Sequence, residues 1–261
     1  MSLRNSGENS PKVLALETST ALLGAAVVRG REVLVEIILN KPNQGSSVLL
    51  PMCVEALERA EISLNDLSCI AVSKGPGSFT GLRIGVATAQ GLAVSLEKRI
   101  AMVPSFEVML YQAKQFRHVV IASGRAKAQA ASAGYSRVGN KAKGGLGVPY
   151  GFEETIQAGP RDLDELLREV RRLGAREVHV TGDAAEDLIA LGSRYRSGPR
   201  LVPVEPYWRL PRPGIVGLIG ARMFSEGMVV EADEAVPDYY RKSQAEVISG
   251  RKAVPTGRKR G

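Results

Sequence analysis

Hydrophobic and polar positions alternate with two different periods along this chain. Three apolar runs open it, "KVLALETS", "LLGAAVVRG" and "EVLVEIIL", and they are separated only by short polar or glycine-containing turns. This pattern predicts three strands joined by tight turns. From Ser46 to Ala60 the apolar residues recur at helical spacing, which predicts a helix with Val48, Leu49 and Met52 on one side. "SCIAVS" then predicts a short buried strand.

A glycine-rich loop follows that strand in "VSKGPGSFTGLRIGVATAQGLA", residues 72 to 93. Gly75, Gly77 and Gly81 give the backbone freedom that a strand-to-helix turn requires. Such loops also bind phosphates at helix N-termini. This loop matches neither G-x-x-x-x-G-K-[ST] nor G-x-G-x-x-G, so the pattern leaves both a plain turn and a phosphate site open.

Residues 82 to 96 are predicted to form a helix with a stripe of small side chains. Gly81, Gly85, Ala89 and Ala93 recur every four residues, so another helix can approach closely along them. Leu82, Val86 and Leu96 add apolar area beside the stripe. The helix is apolar or small almost all round, and it therefore needs cover on more than one side. Either this protein's own sheet or a partner protein supplies that cover.

The second half predicts further strands and helices. "HVVIA", "REVHVTG" and "PRLVPV" are typical of strands, whereas "PRDLDELLREVRRLG" is a strongly amphipathic helix and "GIVGLIGARMFSEG" a final one. The glycine- and alanine-rich stretch before residue 151 predicts weak or exposed strands. The order of elements indicates an α/β protein of two lobes. We expect lobes at 11–103 and 104–247, the second ending in a helix near 213–227, and a basic disordered tail at 248–261.

The net charge of +8 resides mainly in that tail, "SGRKAVPTGRKRG", which holds five basic residues and no acid. No uncharged apolar run reaches the length of a membrane span and the N-terminus does not resemble a signal peptide, so we expect a cytoplasmic protein. Cys53 and Cys69 lie in apolar surroundings, which favours buried free thiols.

Few residues are candidates for catalysis. His118 and His179 lie in predicted strands without a second histidine at metal-ligand spacing, so we expect structural roles and no bound metal. Glu17 ends the first strand, where a carboxylate can orient Mg²⁺ or water, and Thr18, Ser19 and Thr20 follow it. One acid and three hydroxyls make half a nucleotide site.

Four segments together resemble one family. "LALETSTALLGAAVV", "LLPMCVEAL", "LNDLSCIAVSKGPGSFTGLRIGVATAQGLA" and "AVPDYYRKSQAEV" resemble the bacterial TsaB proteins, also called YeaZ, in that family's order. The resemblance implies an actin, hexokinase and Hsp70-like fold with a reduced second lobe. It also implies a noncatalytic subunit that pairs with the related catalytic subunit TsaD. With the ATPase TsaE, that pair supports the synthesis of N6-threonylcarbamoyladenosine in tRNA.

The resemblance further implies which residues bind partners. It places the interface on the helices around residues 46–57 and 82–92, namely Val48, Leu49, Met52, Gly81, Leu82, Gly85, Val86, Ala89 and Leu92. For the isolated chain, a homodimer through this surface and a monomer both stay open. No cofactor is expected, except ATP or ADP at the interface of the complex, with residues 17–20 as a vestigial cofactor site and tRNA contacted only indirectly. The sequence departs from the family at Ala122 and Ser123, where an acid is expected.

Two other function classes stay open. One is an active ATP-dependent enzyme of the same fold, a kinase using Glu17 and the glycine loop or a metallopeptidase-like protein. The other is an RNA-binding module that acts through the basic tail.

Overall fold

The computed structural model describes residues 10–40, 45–124, 130–137 and 151–238, and these form two five-stranded sheets with helices on their faces. The expected basic tail lies outside them. The first sheet contains β1 (Lys12–Glu17), β2 (Leu22–Arg29), β3 (Glu32–Asn40), β4 (Cys69–Gly75) and β5 (Arg99–Pro104). The second contains β6 (His118–Ser123), β7 (Ala130–Arg137), β8 (Phe152–Arg161), β9 (Glu177–Thr181) and β10 (Arg200–Pro203). The helices are α1 (Gly45–Ala60), α2 (Phe79–Leu96), α3 (Ser105–Gln112), α4 (Leu163–Arg172), α5 (Ala185–Gly192), α6 (Pro206–Arg209) and α7 (Pro213–Ser225).

The two sheets have the same topology. The strand order is β3-β2-β1-β4-β5 in the first sheet and β8-β7-β6-β9-β10 in the second. In each, the first strand pairs antiparallel with the second and parallel with the fourth. The predicted two-lobed α/β architecture is confirmed. The repeat itself has no signal in the sequence, because each lobe fills the shared frame with different side chains.

The first sheet is buried on both faces, which explains its nearly continuous apolar strands. Leu14 and Leu16 of β1 point into the core shared with α1 and α2. Val13 and Ala15 point to the opposite face, where α7 packs. In α7, a Cβ at Gly217 would overlap Val28, so glycine lets that helix lie close against the sheet.

Two helices cross between the lobes. α3 follows β5 of the first sheet, yet Phe106, Met109 and Leu110 pack on the second. Conversely, α7 follows the second lobe and packs on the first sheet. The sequence-based division placed α7 in the lobe at 104–247. The contacts instead assign this helix to the first lobe, because an apolar face covers whichever sheet lies beside it rather than the sheet nearest in sequence.

The second lobe is reduced in its helices but not in its strands. α4 and α5 span 10 and 8 residues, where α1 and α2 span 16 and 18. The prediction of weak or exposed strands before residue 151 is wrong for β7, since Ala131, Ala133 and Tyr135 are buried beneath α3. Small side chains there let the helix and the sheet pack closely. Among the described helices, none combines the length and hydrophobicity needed to cross a membrane.

Cys53 and Cys69 are buried free thiols, as predicted. Burial raises the pKa of each to about 12, so both stay protonated and serve as small apolar side chains.

Candidate functional site

The candidate site lies where the turn after β1 meets the glycine loop after β4. These parallel strands are neighbours, so their carboxyl ends meet at one edge of the sheet. The amide of Ser78 donates to the carbonyl oxygen of Ser19 at 2.6 Å. Ser78 is also the N-cap of α2, because its hydroxyl accepts from the amide of Gly81 at 3.2 Å. The predicted strand-to-helix turn is confirmed, and α2 begins three residues earlier than its apolar spacing indicated.

The glycines of this loop bring it against the protein's own chain. A Cβ at Gly77 would overlap the carbonyl oxygen of Ser19, and one at Gly81 would overlap that of Thr18. Only glycine therefore permits the contact. The loop glycines thus contact Thr18 and Ser19 of the turn after β1.

Glu17 is an acid in the interior of the first lobe. It is fully buried and its carboxylate accepts from the amide and hydroxyl of Ser19, at 2.5 and 2.6 Å, and from the hydroxyl of Ser73. Burial raises the pKa of Glu17 to about 7, and the hydrogen bonds from Ser19 and Ser73 oppose that rise. The carboxyl group therefore links the end of β1 to Ser73 of β4 and fixes the turn that follows β1.

The four residues predicted as a vestigial cofactor site do not line an open cleft. Glu17, Thr18 and Ser19 are buried, and Thr20 accepts a hydrogen bond from the amide of Leu22 at 3.3 Å. The Thr18 hydroxyl is buried without a hydrogen-bond partner among the described residues, and Gly85 lies directly beneath it. The vestigial cofactor site stays a prediction, and in this structure Glu17, Thr18 and Ser19 are buried in the fold.

The small-residue stripe of α2 also faces inward. Ala89 and Ala93 belong to the core shared with α1 and the sheet, and a Cβ at Gly85 would overlap the Thr18 hydroxyl. Of the nine predicted interface residues, the structure buries Leu49, Met52, Leu82, Gly85, Val86 and Ala89 within this chain. For those six the interface stays a prediction, and within this chain the close approach they permit is to their own sheet. Val48, Gly81 and Leu92 keep partial exposure.

The opposite faces of α1 and α2 are apolar and exposed. Leu50 and Val54 of α1 have exposed fractions of 49% and 47%, and Val94 of α2 reaches 69%. Ala87 and Gly91 lie between Arg83 and Val94 on α2 and are exposed, with nothing within 4 Å of a Cβ at Gly91. Sequence reasoning missed this outer surface, which we define as Leu50, Val54, Ala87, Gly91 and Val94. The i, i+4 spacing of Leu50 with Val54 and of Ala87 with Gly91 was the available signal.

Both histidines lie in strands, as predicted. His118 shares a hydrogen bond of 2.9 Å with the hydroxyl of Ser136, and His179 stacks on Phe116 with ring centroids 3.7 Å apart. Burial lowers the pKa of both. Arg117 adds to this lowering at His118, whereas at His179 the carboxylate of Glu177 opposes it and Arg200 adds to it. Within the described ranges, no three His, Cys, Asp or Glu side chains are close enough to hold a metal ion.

In the second lobe, a carboxylate also links two neighbouring strand ends, but the strands that supply the acid and the donor are exchanged. β6 ends in the buried Ser123, where β1 ends in Glu17. The acid comes instead from the loop after β9, since exposed Asp183 accepts from the amide of Gly124 at 2.6 Å. At the departure noted at Ala122 and Ser123, the carboxylate that contacts the end of β6 therefore comes from the loop after β9.

Comparison with known sequences identifies related proteins. The family model described as "TsaD: tRNA N6-adenosine threonylcarbamoyltransferase" matches residues 36–147. The "tRNA threonylcarbamoyladenosine biosynthesis protein TsaB" of Escherichia coli is 27% identical over 90% of this chain and 96% of its own. The Bacillus subtilis protein of that name is 38% identical over 40% of this chain, and the match spans 45% of its own length.

Comparison with solved structures identifies the same fold. "YeaZ from Pseudomonas aeruginosa" superposes with a TM-score of 0.66 over 88% of this chain and 99% of its own, at 22% sequence identity. A second Pseudomonas aeruginosa structure, described as similar to peptidase YeaZ, gives a TM-score of 0.67 at the same identity. The actin, hexokinase and Hsp70-like fold expected from the sequence is the one this chain adopts.

Proposed function

Since this chain belongs to the TsaB (YeaZ) family, we propose that it acts in the synthesis of N6-threonylcarbamoyladenosine in tRNA as a noncatalytic subunit that pairs with a TsaD-like protein. The observation that carries this proposal is the match to the Escherichia coli TsaB protein over nearly the whole of both chains. A TsaE-like ATPase completes the proposed complex, which works in the cytoplasm on tRNA bound mainly by the other subunits.

The noncatalytic role is supported by the state of Glu17. This carboxyl group ends β1, where an active enzyme of this fold would orient a metal or water. In this chain it is buried and accepts hydrogen bonds from Ser19 and Ser73. Because the glycines of the loop pack against Thr18 and Ser19 of this chain, we propose that the chain holds no cofactor of its own, and that any ATP or ADP binds at the interface of the complex.

The pairing surface we propose is the outer surface of α1 and α2. These helices lie side by side on one face of the first sheet and share its core. Leu50, Val54 and Val94 provide apolar area, while Ala87 and Gly91 let a partner helix approach closely. The same surface supports self-pairing of the isolated chain.

Copurification with the TsaD-like protein of the same organism tests the pairing. Ala87→Trp adds bulk to the outer surface, and we expect association to weaken roughly ten- to hundredfold, corresponding to about 1 to 3 kcal/mol. The control is Ala190→Trp, which changes an exposed alanine of α5 in the other lobe. Full retention of the partner by Ala87→Trp would contradict the proposed surface, and failure of the unaltered chain to retain it would contradict the proposed function.

A further inference from the structure

One margin of the second sheet collects arginines from four adjacent strands. Arg117 directly precedes β6, Arg176 directly precedes β9, Arg200 begins β10 and Arg137 ends β7. β6, β9 and β10 are parallel and β7 runs opposite to them, so these positions meet at one edge. The strands are neighbours in the sheet.

The cross-strand register brings several of these arginines into one row. The amide of Arg137 donates to the carbonyl oxygen of Arg117 at 2.8 Å. Val119 pairs with His179, which places Arg117 opposite Glu177, and Glu177 pairs with Arg200. Neighbouring strands lie about 4.8 Å apart, so the row from β7 to β10 spans about 14 Å.

The ends of two helices extend this margin. Arg172 ends α4, and the segment that joins α5 to β10 contributes Arg194 and Arg196. Arg171 of α4 holds that segment against the helix, because its guanidinium donates a hydrogen bond of 2.8 Å to the hydroxyl of Ser197. We name the arginine edge as this set: Arg117, Arg137, Arg172, Arg176, Arg194, Arg196 and Arg200.

Most of the arginine edge lacks neutralising partners. Arg200 pairs with Glu177, but none of the other six side chains forms an ion pair or hydrogen bond within the described part of the chain. All seven residues are exposed. An arginine at a helix C-terminus interacts favourably with the helix dipole, and this gives a structural role to Arg172 alone. The arginines of the four strands have no such structural role.

Aromatic rings accompany the charge. Tyr195 is exposed beneath the guanidinium of Arg171, whose carbon lies 4.7 Å from the ring centroid. The stacked pair of Phe116 and His179 lies beside Arg117 and is partly exposed. Guanidinium groups bind phosphates in a bidentate manner, and aromatic faces stack on unpaired bases.

From this combination we propose that the arginine edge binds the phosphate backbone of RNA. A lipid surface is disfavoured because the edge lacks a cluster of exposed apolar side chains in the described residues. The rings favour a nucleic acid over an acidic protein. This inference goes beyond the proposed function, which assigns RNA contact to no particular residue of this chain.

The test compares two triple variants of the full chain in binding to a tRNA transcript. Arg117→Gln, Arg137→Gln and Arg176→Gln together remove three unpaired charges from the edge. The control, Arg31→Gln, Arg59→Gln and Arg99→Gln, removes the same charge from exposed positions of the first lobe. Fluorescence anisotropy at increasing salt gives the affinity and its salt dependence, and thermal melting verifies that both variants fold. The basic tail is retained in every protein.

We expect the edge variant to bind roughly tenfold or more weakly, and the slope of log affinity against log salt to fall by about 2 to 3. The control variant should keep most of the affinity and most of the salt dependence. Equal losses in the two variants would show attraction by net charge alone and would overturn the proposal, as would an unchanged edge variant. Polyglutamate that competes as well as RNA at equal charge would also overturn it, in favour of an acidic protein. The edge variant should still copurify with the TsaD-like protein. Loss of RNA binding and loss of pairing can therefore be told apart, and so can the failure of this proposal and that of the proposed function.

Discussion

The two lobes share one strand order, yet they differ at the same structural position. In the first lobe a buried carboxylate on β1, Glu17, accepts from Ser73 on β4. In the second an exposed carboxylate after β9, Asp183, accepts from the backbone after β6. The shared strand order is therefore compatible with an acid on either of the two neighbouring strands. The difference shows that the carboxylate joins neighbouring strand ends in both lobes, and that burial alone makes the Glu17 group unusual.

The largest expected effect concerns the two cores. Leu49→Ala in the first lobe and Leu166→Ala in the second each remove a fully buried side chain. We expect each to lower the free energy of unfolding by about 2 to 5 kcal/mol. Because α3 and α7 cross between the lobes, urea unfolding of either variant should show a single transition shared by both lobes. Two separate transitions, only one of which shifts, would show that the lobes unfold independently.

Glu17 of the first lobe should make the stability depend on pH. The pKa of Glu17 is about 7 in the folded chain and 4.5 as its ordinary value. The folded state therefore binds the proton more tightly, so its stabilisation is complete below pH 4.5 and is lost as the pH rises through 7. The predicted loss is on the order of 3 kcal/mol, because one pKa unit corresponds to about 1.4 kcal/mol.

Unfolding by urea between pH 4 and 8 measures this loss against two variants. Glu17→Gln cannot ionise, so the difference in stability between it and the unaltered chain should change with pH by that amount. Asp183→Asn is the control from the second lobe, where the carboxylate is exposed. Parallel profiles for the unaltered chain and Glu17→Gln would mean that Glu17 does not titrate in this range.

The smallest effect separates the two faces of α2. Alanine favours a helix over glycine by about 1 kcal/mol, so Gly91→Ala, where a Cβ meets open space, should stabilise the chain by up to that amount. At Gly85 the new Cβ overlaps buried Thr18, and the strain should outweigh the gain, for a net loss of about 1 kcal/mol. Thermal melting of both variants measures the two shifts, and shifts of the same sign would contradict the assignment of an inner and an outer face.

The sequence predicted helices and strands well wherever large apolar residues recur at a regular helical or strand spacing. β1, β2, β3, α1, α4 and α7 are recognisable from apolar spacing, because each buries a face or stripe of large side chains. β7 was misjudged, since its Ala131 and Ala133 are small but buried. The small-residue stripe of α2 was ambiguous for a related reason. Small residues permit close approach, but their spacing does not say whether the partner is another protein or the same chain.

The crossing of α7 has a consequence for synthesis on the ribosome. The face of the first sheet opposite α1 and α2, with Val13, Ala15 and Ala71, is covered by α7, which ends at Ser225. Chains emerge from the ribosome N-terminus first, so nearly all of the second lobe is translated before that face can be buried. Until then the nascent chain exposes an apolar sheet surface, and such a surface is one that chaperones bind. The first lobe to be made is thus the last to be completed.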